Sequence, residues 1–292
     1  MKINNLTTRT LSGAVFVAIL VSGIIIGYET YLLLMLIIIG LTLNEFFNIV
    51  KKSGVAPNFS LGLIAGLGTF ISFFVFAFGG YQDVVYLAFP LLIYIGIFIS
   101  ELFRNKSNPF TNVAMTLLGV FYIAIPFSIL NFLVFLQFSN LDGVIFDYYY
   151  ILALFILVWT NDTFAYLTGM AIGKHKFFER ISPKKTWEGI IGGIVFTAGM
   201  SVALFYLYPH VAPLGKLGFS GLTLQVWVGL GVVVSIFADL GDLVESMLKR
   251  SLGIKDSGNI IPGHGGMLDR FDAILLAAPA AFVYLMFMFN QL

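Results

Sequence analysis

Nine apolar runs, separated by polar connections, determine the architecture of this 292-residue chain. A transmembrane helix needs roughly 20 apolar residues because the hydrocarbon core of a bilayer is about 30 Å thick. Only 11% of the residues are charged, whereas soluble domains carry about 25%. The sequence therefore predicts an all-α, polytopic integral membrane protein of about nine transmembrane helices, the fifth kinked at Pro126. The predicted spans are residues 11–27, 31–49, 60–78, 84–102, 113–138, 149–172, 190–207, 222–244 and 273–289.

The basic residues alternate between the two sides of this predicted bundle. Of the 16 Lys and Arg residues, only Lys216 lies outside the N-terminal segment and the connections that follow the second, fourth, sixth and eighth spans. The positive-inside rule then predicts a cytoplasmic N-terminus and an outside C-terminus. We expect the protein in a bacterial inner membrane, with its polar site on the cytoplasmic side.

Two long cytoplasmic connections, residues 174–189 and 249–272, suggest a functional division of the chain. We expect residues 1–147, whose cytoplasmic connections are short, to form N-terminal scaffold helices. Residues 148–292 are expected to form the catalytic region of the same membrane domain. The chain has no cysteine, which excludes disulfides and thiolate chemistry.

The segment 246–272 concentrates polar chemistry between two apolar spans. It holds four cations, three carboxylates, a histidine and a glycine run whose amides can approach phosphate oxygens. This density indicates a site for phosphates and metal at a membrane surface. The histidine could bind phosphate, ligate metal or merely satisfy the loop, which is the most common role of a lone histidine. The polar members are Lys249, Arg250, Lys255, Asp256, His264, Asp269, Arg270 and Asp272, and the glycines are Gly263, Gly265 and Gly266.

Asp239 and Asp242 lie three residues apart in the eighth span, and therefore on one helix face. A carboxylate at the centre of a transmembrane helix costs about 2.5–3.5 kcal/mol, so this pair should meet cations. Either the pair is structural, or it binds metal; oxygen ligands without cysteine favour magnesium over zinc. Asp269 could approach Asp242 and complete such a site.

Asn161 and Asp162 lie at a depth in the sixth span that is compatible with a site shared with Asp239. Further along, Gly169 and Gly173 would let a neighbouring helix or a ligand approach closely. The alternative is a helix-packing face with one satisfied aspartate.

The connection 173–189 carries Ser182, Lys184 and Lys185 before a helix that Thr186 can cap. Helix N-terminal amides together with lysines make an anion site. A generic basic loop that contacts anionic lipid headgroups fits the same residues.

Together these residues resemble the signature of the CDP-diacylglycerol synthase (phosphatidate cytidylyltransferase) family. The family pattern is Ser-x-x-Lys-Arg, four residues, Lys-Asp, then Pro-x-His-Gly-Gly-x-x-Asp-Arg-x-Asp, and residues 246–272 match it without departure. The segments 161–166, 182–189 and 241–246 also look like this family. The specific part of the resemblance covers residues 159–272.

The resemblance implies transfer of a cytidylyl group from CTP to phosphatidic acid, giving CDP-diacylglycerol and pyrophosphate for phospholipid biosynthesis. It implies Mg²⁺ on Asp242 and Asp269, with Asp239 as a further candidate ligand and room for a second cation. The enzymes of the family typically work as homodimers in the lipid bilayer, and no nucleic-acid partner is expected. The expected catalytic residues are Asp242, Asp269, Lys249, Arg250 and Arg270. The expected CTP- and phosphate-binding residues are Asp162, Ser182, Lys184, Lys185, Lys255, His264, Gly265 and Gly266.

Two other functions would use similar residues. A CTP-dependent polyprenol kinase would transfer the γ-phosphate and release CDP. A transporter would also carry intramembrane carboxylates, but normally at the bilayer midplane between repeats, and the sequence contains no visible repeat.

Overall fold

A computed structural model describes residues 2–136, 143–216, 222–254, 257–258, 260 and 265–289, with residues 2–9, 216 and 289 described by their backbone only. Within these ranges the chain is mainly helical. The first helices are α1 (Lys2–Ile25), α2 (Tyr28–Lys52), α3 (Phe59–Phe78), α4 (Phe89–Arg104), α5 (Pro109–Gly119), α6 (Ile125–Ile129) and α7 (Asn131–Val134). The later helices are α8 (Tyr149–Ile172), α9 (Trp187–Val211), α10 (Pro213–Lys216), α11 (Leu224–Ser251) and α12 (Leu268–Phe289).

Among the described residues, 8 helical stretches are long and apolar enough to cross a membrane. They correspond to the second to ninth predicted spans, so the polytopic, all-α architecture is confirmed. The first predicted span corresponds to α1, in which the apolar stretch Thr10–Ile25 is shorter than the others. The 8 stretches are Tyr28–Lys52, Phe59–Phe78, Val84–Arg104, Pro109–Val134, Tyr149–Ile172, Trp187–Val211, Leu224–Ser251 and Leu268–Met288.

The span around Pro126 is irregular, as its sequence predicts. A π-helical turn, Val120–Ala124, separates α5 from α6, and the amide of Ile125 donates to the carbonyl of Val120. Proline has no amide hydrogen, and its ring clashes with the carbonyl of the preceding turn, so a regular helical ladder cannot continue through it.

The chain forms two compact units. The first comprises Met1–Asn131, Gln137–Val144 and Ser251–Phe271. The second comprises Phe132–Leu136, Ile145–Arg250 and Asp272–Leu292. The signature segment (residues 246–272) therefore contributes to both units. The predicted functional division at residue 147 stays a prediction.

In the first unit, consecutive helices from α1 to α5 pack against each other. Glycines make room for a buried aromatic side chain of α2. A Cβ atom on Gly62 would lie 2.5 Å from Phe47 Cζ, and one on Gly119 would lie 2.7 Å from Phe47 Cε1. Phe47 therefore fills the space between helices that lack side chains at these positions.

In the second unit, α8 packs closely against α9, which follows an antiparallel hairpin of β3 (Lys176–Phe178) and β4 (Ser182–Thr186). A Cβ atom on Gly189 would lie 2.7 Å from the backbone oxygen of Ala165. At Gly169 and Gly173 it would lie 3.1 and 2.7 Å from Oγ1 of Thr186. The predicted close approach at these two glycines is therefore confirmed. A second, shorter hairpin pairs β1 (Phe135–Leu136) with β2 (Ile145–Phe146).

Candidate active site

Three carboxylates of the second unit converge on one point. Asp242 and Glu245 lie three residues apart in α11, and Asp272 lies in α12. One carboxylate oxygen from each lies within 4.8 Å of the others. This carboxylate cluster (Asp242, Glu245 and Asp272) offers only oxygen atoms, which are the ligands that Mg²⁺ prefers. Its residues therefore fit a hard divalent cation.

A glycine allows the two helices that carry the cluster to approach each other. A Cβ atom on Gly241 would lie 2.6 Å from the backbone oxygen of Asp272 and 3.0 Å from Cα of Ala273. Backbone atoms cannot move aside without shifting the helix, so α11 and α12 can meet here only at a residue without a side chain. Gly241 thereby helps set the spacing between its neighbour Asp242 and Asp272.

Lys185 connects the β3–β4 hairpin to α11. Its Nζ lies 2.8 Å from Oδ1 of Asp239 and 2.9 Å from Oδ2 of Asp242. Burial lowers the pKa of Lys185, whereas the charges of Asp242 and Asp239 raise it, and the net result is a raised pKa. Lys185 is therefore protonated at neutral pH. The neighbouring Lys184 is exposed.

Asp239 is held by a lysine and an amide. Besides its ion pair with Lys185, its Oδ2 accepts a hydrogen bond from Nδ2 of Asn161 at 3.3 Å. The hydroxyl of Ser235 in turn donates to Oδ1 of Asn161. The expected proximity of Asn161 and Asp239 is confirmed, and these contacts favour the structural interpretation of Asp239. Asp162 is exposed.

The hairpin that carries Lys185 is anchored at both ends. Ser182 pairs with Phe178 across the two strands. At the other end, Oγ1 of Thr186 accepts a hydrogen bond from the amide of Gly189 at 3.2 Å, so Thr186 caps α9 as predicted. These contacts fix the strand that points Lys185 at α11.

The last turns of α11 add a second lysine to the cluster. Lys249 Nζ lies 2.5 Å from Oε2 of Glu245, one helical turn away. The hydroxyl of Ser246 donates to Oδ1 of Asp242 at 3.3 Å. Arg250 is exposed at the end of this helix. The carboxylate cluster is therefore flanked by two lysines, each in contact with one of its members.

Asp269 belongs to the first unit. Its Oδ2 accepts hydrogen bonds from the amide and the hydroxyl of Ser257, at 3.0 and 2.9 Å, and from the amide of Gly266 at 2.9 Å. Gly265 has a φ of 88°, a left-handed conformation that favours glycine. Arg270 is exposed beside Asp269. Two predicted phosphate-binding residues lie outside the described residues: Lys255 and His264.

Sequence reasoning named Asp242 and Asp269 as the metal ligands, with Asp239 as a further candidate, and did not name Glu245 or Asp272 as ligands. In the structure, Asp242 belongs to the cluster with Glu245 and Asp272, whereas Asp269 belongs to the first unit. Its role as a metal ligand stays a prediction. The signal for Glu245 was its position one helical turn from Asp242, which places both on one face of α11.

An integral membrane protein whose helices hold a carboxylate cluster between lysines has the groups needed to bind metal and phosphate. The chain belongs to the cytidylyltransferase family, whose sequence model matches residues 7–288. It is therefore a nucleotidyltransferase enzyme of the membrane, and the family resemblance predicted from the signature is confirmed.

Curated relatives cover nearly the whole chain. A phosphatidate cytidylyltransferase of Staphylococcus aureus is 36% identical over 282 residues, which is 96% of each chain. Proteins of the same name from Staphylococcus haemolyticus and Staphylococcus epidermidis are each 34% identical, over 93% and 96% of this chain and 95% and 96% of their own. The aligned region therefore includes residues of both compact units.

Proposed function

We propose that this protein transfers a cytidylyl group from CTP to phosphatidic acid, which gives CDP-diacylglycerol and pyrophosphate for phospholipid biosynthesis. The observation that carries the proposal is the carboxylate cluster flanked by Lys185 and Lys249. Nearly end-to-end similarity to relatives named phosphatidate cytidylyltransferase supports the choice of lipid substrate.

The proposed reaction needs charge neutralisation more than proton transfer. A phosphate oxygen of phosphatidic acid forms a bond to the α-phosphorus of CTP, and the bond from that phosphorus to pyrophosphate breaks. The lipid phosphate is already anionic at neutral pH, because phosphate monoesters lose their second proton near pH 6. No strong general base is required, and the main barrier is the alignment of two anions that repel each other.

The lysines of the cluster provide preorganised positive charge. Lys185 and Lys249 are held by ion pairs, so their ammonium groups need little rearrangement when an anion arrives. We assign contacts with the phosphates of CTP and lipid to three exposed cations, Lys184, Arg250 and Arg270. The predicted contacts of the remaining phosphate-binding residues belong to the same proposal: Asp162, Ser182, Lys255, His264, Gly265 and Gly266.

Asp242, Glu245 and Asp272 would hold Mg²⁺, because their oxygen atoms converge and match its ligand preference. When bound, the ion would supply positive charge to the phosphate oxygens of CTP. Asp269 remains a proposed ligand on the strength of the family resemblance, and a second cation is compatible with the number of carboxylates.

We also propose that the site faces the cytoplasm, where CTP is available, in the inner membrane of a bacterium. The distribution of Lys and Arg along the sequence supports this orientation. The acyl chains of the substrate would remain in the bilayer. Assembly as a homodimer, typical of the family, belongs to the same proposal.

The reaction can be tested with purified protein in lipid nanodiscs and CTP labelled at either the α- or the γ-phosphate. With phosphatidic acid and Mg²⁺, we expect the α label in the lipid fraction and the γ label in pyrophosphate. Transfer of the γ label to a lipid acceptor, with release of CDP, would instead identify a lipid kinase. A parallel reaction with polyprenol distinguishes the two acceptors.

Two substitutions test the metal-binding residues. Asp242→Asn and Asp269→Asn should each lower Mg²⁺-dependent turnover by more than about 100-fold, since even an outer-shell partner of a metal typically contributes 10–100-fold. Initial rates across a Mg²⁺ titration provide the measurement. Asp83→Asn, at an exposed position outside the site, is the matched control. Near-wild-type turnover of either variant would refute the assignment of that residue.

A further inference from the structure

Glu45 is a buried carboxylate in an apolar helix of the first unit. It lies in α2 and is 5% exposed. A buried carboxylate is unfavourable unless hydrogen bonds compensate for the loss of water. Glu45 receives that compensation from the signature segment, which lies more than 200 residues later in the sequence.

The carboxylate of Glu45 binds the start of α12. Its Oε2 accepts a hydrogen bond from the amide of Leu268 at 2.9 Å. Leu268 is the first residue of α12, and the first amides of a helix have no partner within the helix. Glu45 therefore acts as a tertiary cap for the helix whose second residue is Asp269.

Ser257 links Glu45 to Asp269. Its hydroxyl lies 3.2 Å from Oε2 of Glu45 and 2.9 Å from Oδ2 of Asp269. Its amide also donates to Oδ2 of Asp269. The single hydroxyl proton of Ser257 is thus shared between the two carboxylates, so loss of Glu45 would change the hydrogen bonding of Asp269 through this one group.

Two glycines of the signature segment lie against the carboxylate of Glu45. A Cβ atom on Gly258 would lie 2.5 Å from Oε1 of Glu45, and one on Gly266 would lie 2.5 Å from Oε2. These glycines therefore leave room for the carboxylate, and Gly266 also donates its amide to Asp269. Contact with Glu45 is a structural reason for glycine at position 266 in addition to the predicted phosphate contact.

From these contacts we infer that Glu45 is a positioning residue, which holds the signature segment so that Asp269 keeps its orientation; the inference rests on the proposed function of Asp269. The role depends on a hydrogen-bond acceptor at Oε2 rather than on the charge. Among the described residues, Oε1 has no hydrogen-bond partner. A glutamine can therefore keep its oxygen at the Oε2 position and its amide group at the Oε1 position.

The test compares Glu45→Ala with Glu45→Gln. Glu45→Ala should raise the half-saturating Mg²⁺ concentration for cytidylyl transfer by about tenfold, the effect typical of a lost outer-shell partner. In the metal-free protein it should also speed hydrogen exchange at the amides of Leu268, Ser257 and Gly266. Glu45→Gln should stay close to wild type in both measurements.

Glu101→Ala is the matched control, because Glu101 is a buried carboxylate of the same unit that pairs with Arg104 and Asn112 instead. It should lower stability without changing either measurement. The inference is overturned if Glu45→Ala behaves like wild type, if Glu45→Gln is as impaired as Glu45→Ala, or if Glu101→Ala reproduces the effect. Hydrogen exchange needs no substrate, so it tests Glu45 even if the protein fails to use phosphatidic acid.

Discussion

At the scale of single residues, two neighbouring lysines of the candidate site differ in whether they form ion pairs. Lys185 bridges Asp239 and Asp242, while its neighbour Lys184 is exposed. Both are lysines of β4, and successive side chains of a strand point to opposite faces. Lys185 is the one that contacts Asp239 and Asp242 of α11. We therefore expect them to differ in function: Lys185 stabilises the fold and the site, and Lys184 affects the binding of substrate.

Removal of Lys185 should destabilise the protein as well as inactivate it. Lys185→Ala would leave Asp239, whose side chain is 6% exposed, without its cation. Breaking a buried ion pair on one side costs about 3–5 kcal/mol, and the 19% exposure of the Lys185 side chain favours the lower end. Thermal unfolding in detergent measures the loss.

Two further variants make this prediction specific. Lys176→Ala removes an exposed lysine of the same hairpin and should leave the unfolding temperature unchanged. Lys185→Met combined with Asp239→Asn removes both charges and should recover stability but not activity. If Lys185→Ala unfolds like wild type, the ion pair contributes nothing to stability.

At the scale of elements, small residues decide how closely the helices approach. Along the contact of α8 with α9, a Cβ atom on Gly189 would collide with the backbone of Ala165. This contact sets the position of the hairpin before α9 and hence of Lys185. Gly241 has the same role between α11 and α12, beside Asp242.

Gly189→Ala should force α8 and α9 apart. We expect a loss of about 1–3 kcal/mol, the usual effect of overpacking a close contact, together with lower activity. Gly199→Ala lies on the same helix with no atom within 4 Å of the added Cβ, so it should be neutral or slightly stabilising. Thermal unfolding of the two variants side by side is the measurement, and equal stability would contradict close packing at Gly189.

At the scale of the whole molecule, the chain is built for contact with lipid. Several large apolar side chains are strongly exposed, including Leu102 at 79% and Phe103 at 81%. Such exposure is unfavourable in water but suits the hydrocarbon of a bilayer. The basic residues lie in alternate connections along the sequence, which predicts that the N-terminus is cytoplasmic and the C-terminus is outside.

The absence of native cysteine allows a direct test of this orientation. Ser53→Cys lies after α2 beside two lysines, and Gln82→Cys lies after α3; both positions are exposed. In intact cells, a membrane-impermeant maleimide should label the variant at position 82 and not the variant at position 53. Permeabilisation should expose both. The reverse pattern would invert the predicted topology.

Much of the fold and the family could be predicted from local properties of the sequence. The spans follow from runs of apolar residues, the cap at Thr186 from its position before α9, and the family from residues 246–272. Helical spacing also placed Asp239 and Asp242 on one face. What spacing could not supply was the ion-pair partner of the two aspartates, because Lys185, which contacts both, is distant in sequence.

The sequence by itself therefore determined that this chain crosses a membrane many times and belongs to an enzyme family with a phosphate-handling signature. Both conclusions depend on hydropathy and on residues that are neighbours along the chain. Only the tertiary structure decided that Asp272 joins Asp242 and Glu245, and that Glu45 holds the segment of Asp269. The reason is physical: these contacts depend on how closely one segment approaches another at glycines such as Gly241 in α11 and Gly266 before α12, which no periodicity along the chain encodes.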